Sequence, residues 1–138
     1  MRWALSPILL TLTAMGAAAQ PIIVAPEDLA AGSARFSGKF VTIPKLNCYF
    51  SGPADYRCVS TNYVSIFAKD VQPQNEKRKI ETKCDKMRLA ISSPACRLNI
   101  RFLFNENMKS SDIVSGYQKR ILIRPDLISI TTIKRHRR

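Results

Sequence analysis

The clearest pattern along the chain is the alternation of apolar and polar residues between Cys96 and Phe104. Strict alternation is typical of a β-strand with one buried face, because successive side chains point to opposite sides of a sheet. The pattern predicts a strand with a basic outer face. Its predicted buried residues are Cys96, Leu98, Ile100, Phe102 and Phe104, and its predicted outer residues are Arg97, Asn99 and Arg101.

The residues before this strand predict its hairpin partner. Met87–Ile91 is a run of β-capable residues, and Ser92-Ser93-Pro94 is a turn signal. We therefore expect a strand over Met87–Ile91 that pairs with the strand over Cys96–Phe104.

Other segments predict further strands and one long loop. Ala34–Ile43 alternates around Gly38 and is expected to end at Pro44, because proline cannot donate to a strand ladder. Asn105–Gly116 is polar and is predicted to be a loop with at most a short helical turn at Ser110–Asp112. The remaining predicted extended segments are Leu46–Phe50, Tyr56–Val71, Glu76–Lys83, Gln118–Arg124 and Leu127–Ile133.

Five or six strands without a long helix predict an all-β domain, either a small barrel or a sandwich. We expect this domain to occupy residues 34–133. A leader at residues 20–33 precedes it and contains a short helix, because Pro26 with two acidic residues after it is a good helix start. A basic tail at residues 134–138 follows the domain.

Residues 1–19 have the pattern of a signal-peptide helix that is cleaved after export. Arg2 precedes an apolar run from Trp3 to about Met15, and small residues lead to a cleavage site before Gln20. The alternative is an uncleaved membrane anchor, but the run of about 13 apolar residues is shorter than the roughly 20 that span a bilayer. We expect a periplasmic or secreted protein without stable membrane insertion after cleavage.

The four cysteines predict two disulfides, because an even number behind an export signal indicates an oxidising compartment. A metal site is disfavoured, since there is no C-x-x-C pair and the only histidine, His136, lies in the tail. Cys48–Cys58 and Cys84–Cys96 are the favoured pairs, because each pair flanks a turn-rich stretch that can bring the cysteines together. The two crossed pairings remain alternatives.

The order of these segments resembles that of OB-fold domains over roughly residues 34–133. The resemblance is carried by Phe36–Phe40 with its central glycine, the long second strand Tyr63–Val71, the late polar insertion and the final strand Leu127–Ile133. It implies a five-stranded barrel that binds oligonucleotides or oligosaccharides over strands 2 and 3. The likeness assigns no individual ligand-binding residue.

Composition favours binding over catalysis. The chain has none of the common nucleophile, metalloprotease, phosphate-loop or dinucleotide motifs, and His136 is surrounded by basic residues at a free end. A small basic ribonuclease is the sharpest enzymatic alternative, but that chemistry usually needs a histidine held in a cleft. We therefore expect no enzymatic activity, no cofactor and no metal.

The formal net charge of +12 favours a polyanionic partner, such as nucleic acid, anionic envelope polysaccharide or lipid headgroups. The alternative is a structural or interaction subunit with a protein partner, in which the charge serves solubility. The interleaved aromatic residues Tyr63, Phe67 and Tyr117 would add stacking surfaces to a polyanion site if they are exposed, and core or sheet packing is the alternative. The predicted ligand-binding residues are Arg78, Arg88, Arg97, Arg101, Lys119 and Arg120.

Overall fold

The computed structural model of the chain describes residues 21–60, 62–115 and 118–132. Within those residues the chain forms nine β-strands and three short α-helices. The strands are β1 (Ile22–Ile23), β2 (Lys39–Gly52), β3 (Asp55–Val59), β4 (Val64–Ala68), β5 (Asp70–Gln72), β6 (Arg97–Phe104), β7 (Lys109–Ser115), β8 (Gln118–Ile123) and β9 (Leu127–Thr131). The helices are α1 (Pro26–Ala31), α2 (Gln74–Lys83) and α3 (Met87–Ser92). None of these described helices has the length and apolar character needed to cross a membrane.

All nine described strands belong to one sheet, so the fold is predominantly β. The strand order is β5-β9-β6-β2-β3-β4-β8-β7, and β1 lies parallel beside the first half of β2. Among the described residues, this pairing path has two ends, β5 and β7. The prediction of a mainly β domain is confirmed at this level.

The long strand β2 joins two parts of the sheet because it pairs with two partners. Its first half pairs mainly with β6 and its second half with β3, both antiparallel. The predicted break at Pro44 is wrong, since β2 continues through a register shift between Ile43 and Leu46. Lys45 takes a positive φ of 56° there, and its N–H donates to Asn99 Oδ1 at 3.1 Å. Because of this irregularity, Ile43 and Leu46 are both fully buried.

The beginning of β2 also differs from the prediction. Ser33–Phe36 forms a short 3-10 helix, and the strand starts only at Lys39, after Gly38. Gly38 has a φ of +80° and donates its N–H to the Phe104 carbonyl at 2.7 Å. A glycine suits this left-handed turn because it has no Cβ to clash with the backbone, and the turn delivers the chain onto β6.

Two parallel ladders share one register. Val64 of β4 pairs with Ile121 of β8, and Asp70 of β5 pairs with Leu127 of β9. The residue numbers of the partners differ by the same amount in both ladders. Only Lys69 separates β4 from β5, and three residues separate β8 from β9. The connections from β4 to β5 and from β8 to β9 are therefore short.

The core lies on one face of the sheet, and the helices cover that face. The predicted alternation of β6 is confirmed, since Ile100, Phe102 and Phe104 are buried. α1 contributes Leu29, and α2 contributes Ile80. The other core side chains include Val41, Ile43, Leu46, Cys48, Cys58, Val64, Ile66, Ala68, Ala90, Ile121, Ile123 and Ile128.

Two predicted extended segments are helices instead. Glu76–Lys83 belongs to α2, and its lysine, arginine and glutamate residues are good helix formers. Met87–Ile91 belongs to α3, so the predicted hairpin with β6 is wrong. Ala90 is buried whereas Met87 and Ile91 are exposed, a distribution set by packing one turn of helix on the core. The β-capable residues of this run predict a strand, but four of its five residues also favour helices.

The predicted loop over Asn105–Gly116 is also wrong in part. After a 3-10 turn at Glu106–Met108, the backbone of Lys109–Ser115 forms β7, which pairs antiparallel with β8. β7 ends the pairing path of the described strands, and polar residues are common on such edge strands. Its polar sequence therefore concealed the strand.

Polar contacts tie α2 to the sheet. The hydroxyl group of the buried Tyr56 donates to Glu81 Oε1. Burial, and then the hydrogen bond to this carboxylate, raise the pKa of Tyr56 well above its ordinary value. Lys77 Nζ lies 2.8 Å from Asp70 Oδ1 at β5. The hydrogen bond from Lys77, followed by that from the Val71 N–H, lowers the pKa of Asp70.

Two disulfides link the predicted pairs. Cys48 and Cys58 are cross-strand neighbours in β2 and β3, with Cα atoms 4.0 Å apart. Cys84 follows α2 and is bonded to Cys96 just before β6, with Cα atoms 5.9 Å apart. The first bridge spans a hairpin as predicted. The second encloses α3 and fastens the helical segment to the sheet.

We expect removal of either disulfide to lower the free energy of unfolding by about 3 kcal/mol in the chain-entropy model. The Cys84→Ser/Cys96→Ser variant should also lose hydrogen-exchange protection in α2 and α3, because that bridge is the covalent link between the helical segment and the start of β6. The Cys48→Ser/Cys58→Ser variant is the matched control, and its loss should be confined to the β2–β3 hairpin. Equal loss of protection in the helices of both variants would contradict this assignment.

Asp70→Asn should make stability less dependent on acid pH. A carboxylate whose pKa is lowered in the folded state stabilises the fold above its unfolded pKa, and that contribution disappears as the pH falls. The variant should therefore be less stable than the parent at pH 7, and the gap should close below about pH 4.

Urea unfolding at several pH values measures this gap. Asp126→Asn is the control, because the Lys69–Asp126 pair has side-chain exposures of 76% and 88% and should contribute little. A gap for Asp70→Asn that stays constant down to low pH would show that the Asp70 charge is not responsible.

Candidate functional site

The outer face of the sheet carries several arginines because it is opposite to the core. Along β3, Tyr56 and Cys58 are buried, and Arg57 between them points outward. Along β8, Ile121 and Ile123 are buried, so Arg120 and Arg124 flank them on the outer side. The described helices pack against the core face, so none of them covers the outer face.

Arg97 and Arg101 both lie on the outer side of β6, as their alternation predicted. Four residues along a strand correspond to about 13 Å. Arg97 is exposed, and Arg101 is half-buried with its guanidinium carbon 5.1 Å from the centre of the Phe40 ring. Neither side chain forms an ion pair with a described residue.

The other predicted residues are not gathered around Arg97 and Arg101. Arg78 is on α2 and Arg88 is on α3, both exposed and both on helices that cover the core face. Arg120 is on β8, and its Nη2 donates to the Ser60 carbonyl at 3.4 Å. Lys119 is a β8 residue whose side chain lies outside the described part of the structure. The predicted set is therefore distributed over at least two sides of the domain.

The structure brings together a different set, here called the arginine–phenylalanine row: Arg57, Phe67 and Arg124. Arg57 of β3 pairs directly with Phe67 of β4. Ile66 of β4 pairs with Ile123 of β8 in a parallel ladder. Phe67 and Arg124 are the next residues along these two strands, so Arg124 lies beside Phe67 on the side opposite Arg57. The guanidinium carbons of Arg57 and Arg124 lie 4.2 and 5.6 Å from the Phe67 ring centre.

Electrostatics make the two arginines of the row unequal. Arg57 donates Nε and Nη2 to the two carboxylate oxygens of Asp55, each at 3.1 Å. The hydrogen bond with Asp55 raises the pKa of Arg57. Arg124 is exposed and has no carboxylate within ion-pair distance among the described residues. Arg124 is thus the cation of the row that is available to an external anion.

A shallow cavity of about 280 Å³ lies at the row. Its walls come from the β2–β3 turn, the end of β4 and the segment between β8 and β9. Arg57, Lys69 and Arg124 contribute three cations, and Asp55 contributes one carboxylate. A cavity with a ring at its centre and an excess of positive charge can hold an anionic group beside a planar or apolar one.

Sequence reasoning missed Arg57 and did not select Arg124 for the site. It did name Phe67 as a stacking aromatic, and Phe67 lies on the strand face opposite the buried Val64, Ile66 and Ala68. The missing step was the pairing of β3 with β4 and of β4 with β8, which no local pattern contains. The alternation around Arg57, with Tyr56 and Cys58 inward, was the signal that could have found it.

A second polar cluster joins Ser33, Glu106 and Lys109. The buried Ser33 hydroxyl donates to Glu106 Oε1 at 3.0 Å, and Lys109 Nζ lies 3.4 Å from the same hydroxyl. Lys109 also lies 3.7 Å from the Glu106 carboxylate. This cluster therefore links the Ser33–Phe36 turn to the start of β7.

Comparison of the chain with protein-family models, with curated proteins and with solved structures produced no match. Functional interpretation therefore depends on the geometry of the chain itself. Within the described ranges, no group of three or more histidine, cysteine, aspartate or glutamate residues is arranged to hold a metal ion.

Proposed function

We propose that the protein is an exported, non-enzymatic binding module that takes a polyanion on the outer face of its sheet. The observation that carries this proposal is the stacking of Arg57 and Arg124 on Phe67 across adjacent strands. The row offers cations and a flat surface within about two strand spacings, or roughly 10 Å. Single-stranded nucleic acid and anionic polysaccharide are the polyanions whose repeating charges suit such a surface.

We further propose that the sheet is an OB-type barrel of five composite strands. In this interpretation, β4 and β5 are one strand, β8 and β9 are another, and β2, β3 and β6 complete the set. The shared register of the β4–β8 and β5–β9 ladders supports it. So does the position of α2 between the third and fourth composite strands. Arg57 and Phe67 would then lie on strands 2 and 3, where OB folds bind their ligands, and Arg124 would lie beside them on strand 5.

Export is part of the proposal. Its support is the charge and hydrophobicity pattern of residues 1–19, together with the two disulfides, which persist in oxidising compartments. The net charge of +12 would attract a polyanion towards the domain, over a distance that shortens as the salt concentration rises. Arg97 and Arg101 would extend the binding surface onto β6.

Arg57→Gln/Arg124→Gln should weaken binding to heparin and to an oligothymidylate. Loss of the Arg124 phosphate or sulfate contact should reduce the slope of log affinity against log salt by about 1, and loss of the Arg57 stack on Phe67 should lower the affinity further. The control is Arg78→Gln/Arg88→Gln, which removes the same charge from the helices. Elution salt from a heparin column and fluorescence anisotropy at several salt concentrations measure the two effects, and circular dichroism verifies folding.

The alternative function, a protein-binding subunit whose charge serves solubility, predicts another result. Both double variants should then change heparin elution equally, because only net charge would matter. Equal losses, or passage of the parent protein through heparin at low salt, would reject the proposed site. A higher affinity for oligothymidylate than for heparin at matched salt would identify nucleic acid as the preferred polyanion.

Asp55→Asn should strengthen polyanion binding. Asp55 holds the Arg57 guanidinium with two hydrogen bonds, and its negative charge offsets part of the positive field in the cavity. Because Asp55 is about one-third exposed, we expect a gain of only a few-fold at low salt. The oligothymidylate titration measures this gain, and Asp126→Asn serves as the control outside the Arg57 pair. Weaker binding by Asp55→Asn would mean that the hydrogen bonds by which Asp55 orients Arg57 help binding more than the negative charge of Asp55 opposes it.

A further inference from the structure

The outer face has a second distinctive region at the end of the sheet where β2 begins, here called the apolar row: Phe40, Leu103 and Leu127. Phe40 pairs with Leu103 across β2 and β6. Leu127 of β9 lines the same groove. The three side chains are 45%, 40% and 42% exposed, which is unusual for large apolar residues lying side by side.

A polar row lies one step further along the same strands. Thr42 pairs with Arg101, Arg101 with Ser129, and Ser129 with Gln72. Gln72 Nε2 donates to Ser129 Oγ at 2.7 Å. Arg101 stacks on Phe40 and forms no ion pair with a described residue, so one cation lies directly above the apolar row.

The apolar row lines a groove of about 530 Å³ that is open to solvent, together with Arg101, Ser129 and Gln72 of the polar row, whereas Thr42 is buried. Ile23 lies beside this region on β1, opposite Thr42, and is 58% exposed. The surface is thus amphipathic, with apolar side chains towards the rim of the sheet and Arg101 behind them. Asp70 and Asp126 border Leu127, and each forms an ion pair with a lysine, Lys77 and Lys69 respectively. This arrangement matches a bilayer interface, where acyl chains lie below a layer of charged headgroups.

The path of the chain points to the same rim. β1 runs parallel to β2, with Ile22 opposite Val41, so the chain approaches β1 from the side of Phe40. The apolar run from Trp3 to about Met15 precedes that point in the sequence.

We propose that the apolar row and Arg101 form a surface that docks on a bilayer containing anionic lipids. The apolar row inserts at the boundary between headgroups and acyl chains, and Arg101 binds a lipid phosphate. Charge complementarity favours this occupant over a second copy of the chain, because two copies would bring Arg101 and their net positive charges together. The proposal goes beyond polyanion binding, since it uses residues outside the arginine–phenylalanine row.

Apolar insertion and charge should both be needed. Each exposed apolar side chain that enters the interface adds favourable transfer, and each arginine near an anionic surface adds an attraction that salt weakens. The protein should therefore bind vesicles of phosphatidylcholine with about 30% phosphatidylglycerol more tightly than vesicles of phosphatidylcholine alone. The experiment uses the protein as recovered from the cell, with its N-terminus established by intact mass.

Vesicle sedimentation of matched variants tests the location. Leu103→Ser/Leu127→Ser should lower partitioning into anionic vesicles about tenfold or more, and Arg101→Gln by about fivefold. Met87→Ser/Ile91→Ser is the control, because these α3 residues are similarly exposed, at 54% and 51%, but lie elsewhere. The control should keep the parent's partitioning.

A second readout does not depend on the stability of the serine variants. Leu127→Trp should show a blue-shifted emission with anionic vesicles, and Met87→Trp should not. Absence of binding to anionic vesicles, equal binding to both vesicle types, or equal losses in the two serine pairs would overturn the proposal. Undiminished vesicle binding by Leu103→Ser/Leu127→Ser would also overturn it. The apolar row would then be interpreted as a contact surface for a protein partner.

These outcomes can be separated from those for polyanion binding. Leu103→Ser/Leu127→Ser should elute from heparin at the parent's salt concentration, because no charge is lost. Arg57→Gln/Arg124→Gln should reduce heparin retention while vesicle binding still depends on Leu103 and Leu127. Failure of one proposal would therefore leave the other intact.

Discussion

The double pairing of β2 is the constraint on which the rest of the structure depends. This one strand pairs with both β6 and β3. The residues of both neighbouring strands must therefore follow the same division into a buried face and an outer face as the residues of β2. The irregularity at Pro44 and Lys45 keeps Ile43 and Leu46 on the buried face, and a simple one-residue slip would turn one half outward. The same constraint determines which arginines reach the outer face, since a residue next to a buried one points away from the core.

The alternation of apolar and polar residues correctly predicted strands that have one buried face and one outer face. β6, β8 and β9 lie where the pattern placed them, and the favoured disulfide pairs are present. The short helix predicted at Pro26 is confirmed as α1, whereas α2 was missed because it buries a single residue of its own, Ile80, and therefore has almost no apolar period. β7 was missed for a related reason, since its polar sequence is typical of both loops and edge strands.

The candidate site shows the limit of sequence reasoning more sharply. Clusters of basic residues along the chain favoured Arg78, Arg88 and Arg120, yet two of these are on helices and Arg120 donates to a backbone carbonyl. The arginine–phenylalanine row joins residues from three separate segments, and only strand pairing makes them neighbours. Charge density along a sequence is therefore a weaker guide than register, because register decides which cations share a surface.

The central claim is that the arginine–phenylalanine row is the surface that receives a polyanion. The most direct measurement is NMR titration of the labelled protein with an oligothymidylate at moderate salt. The account predicts that the Arg57 and Arg124 side-chain Nε–H signals and the Phe67 ring signals shift together, while signals from α2 and α3 stay in place. Shifts that follow Arg78 and Arg88 instead, or that spread evenly over all basic residues, would contradict it.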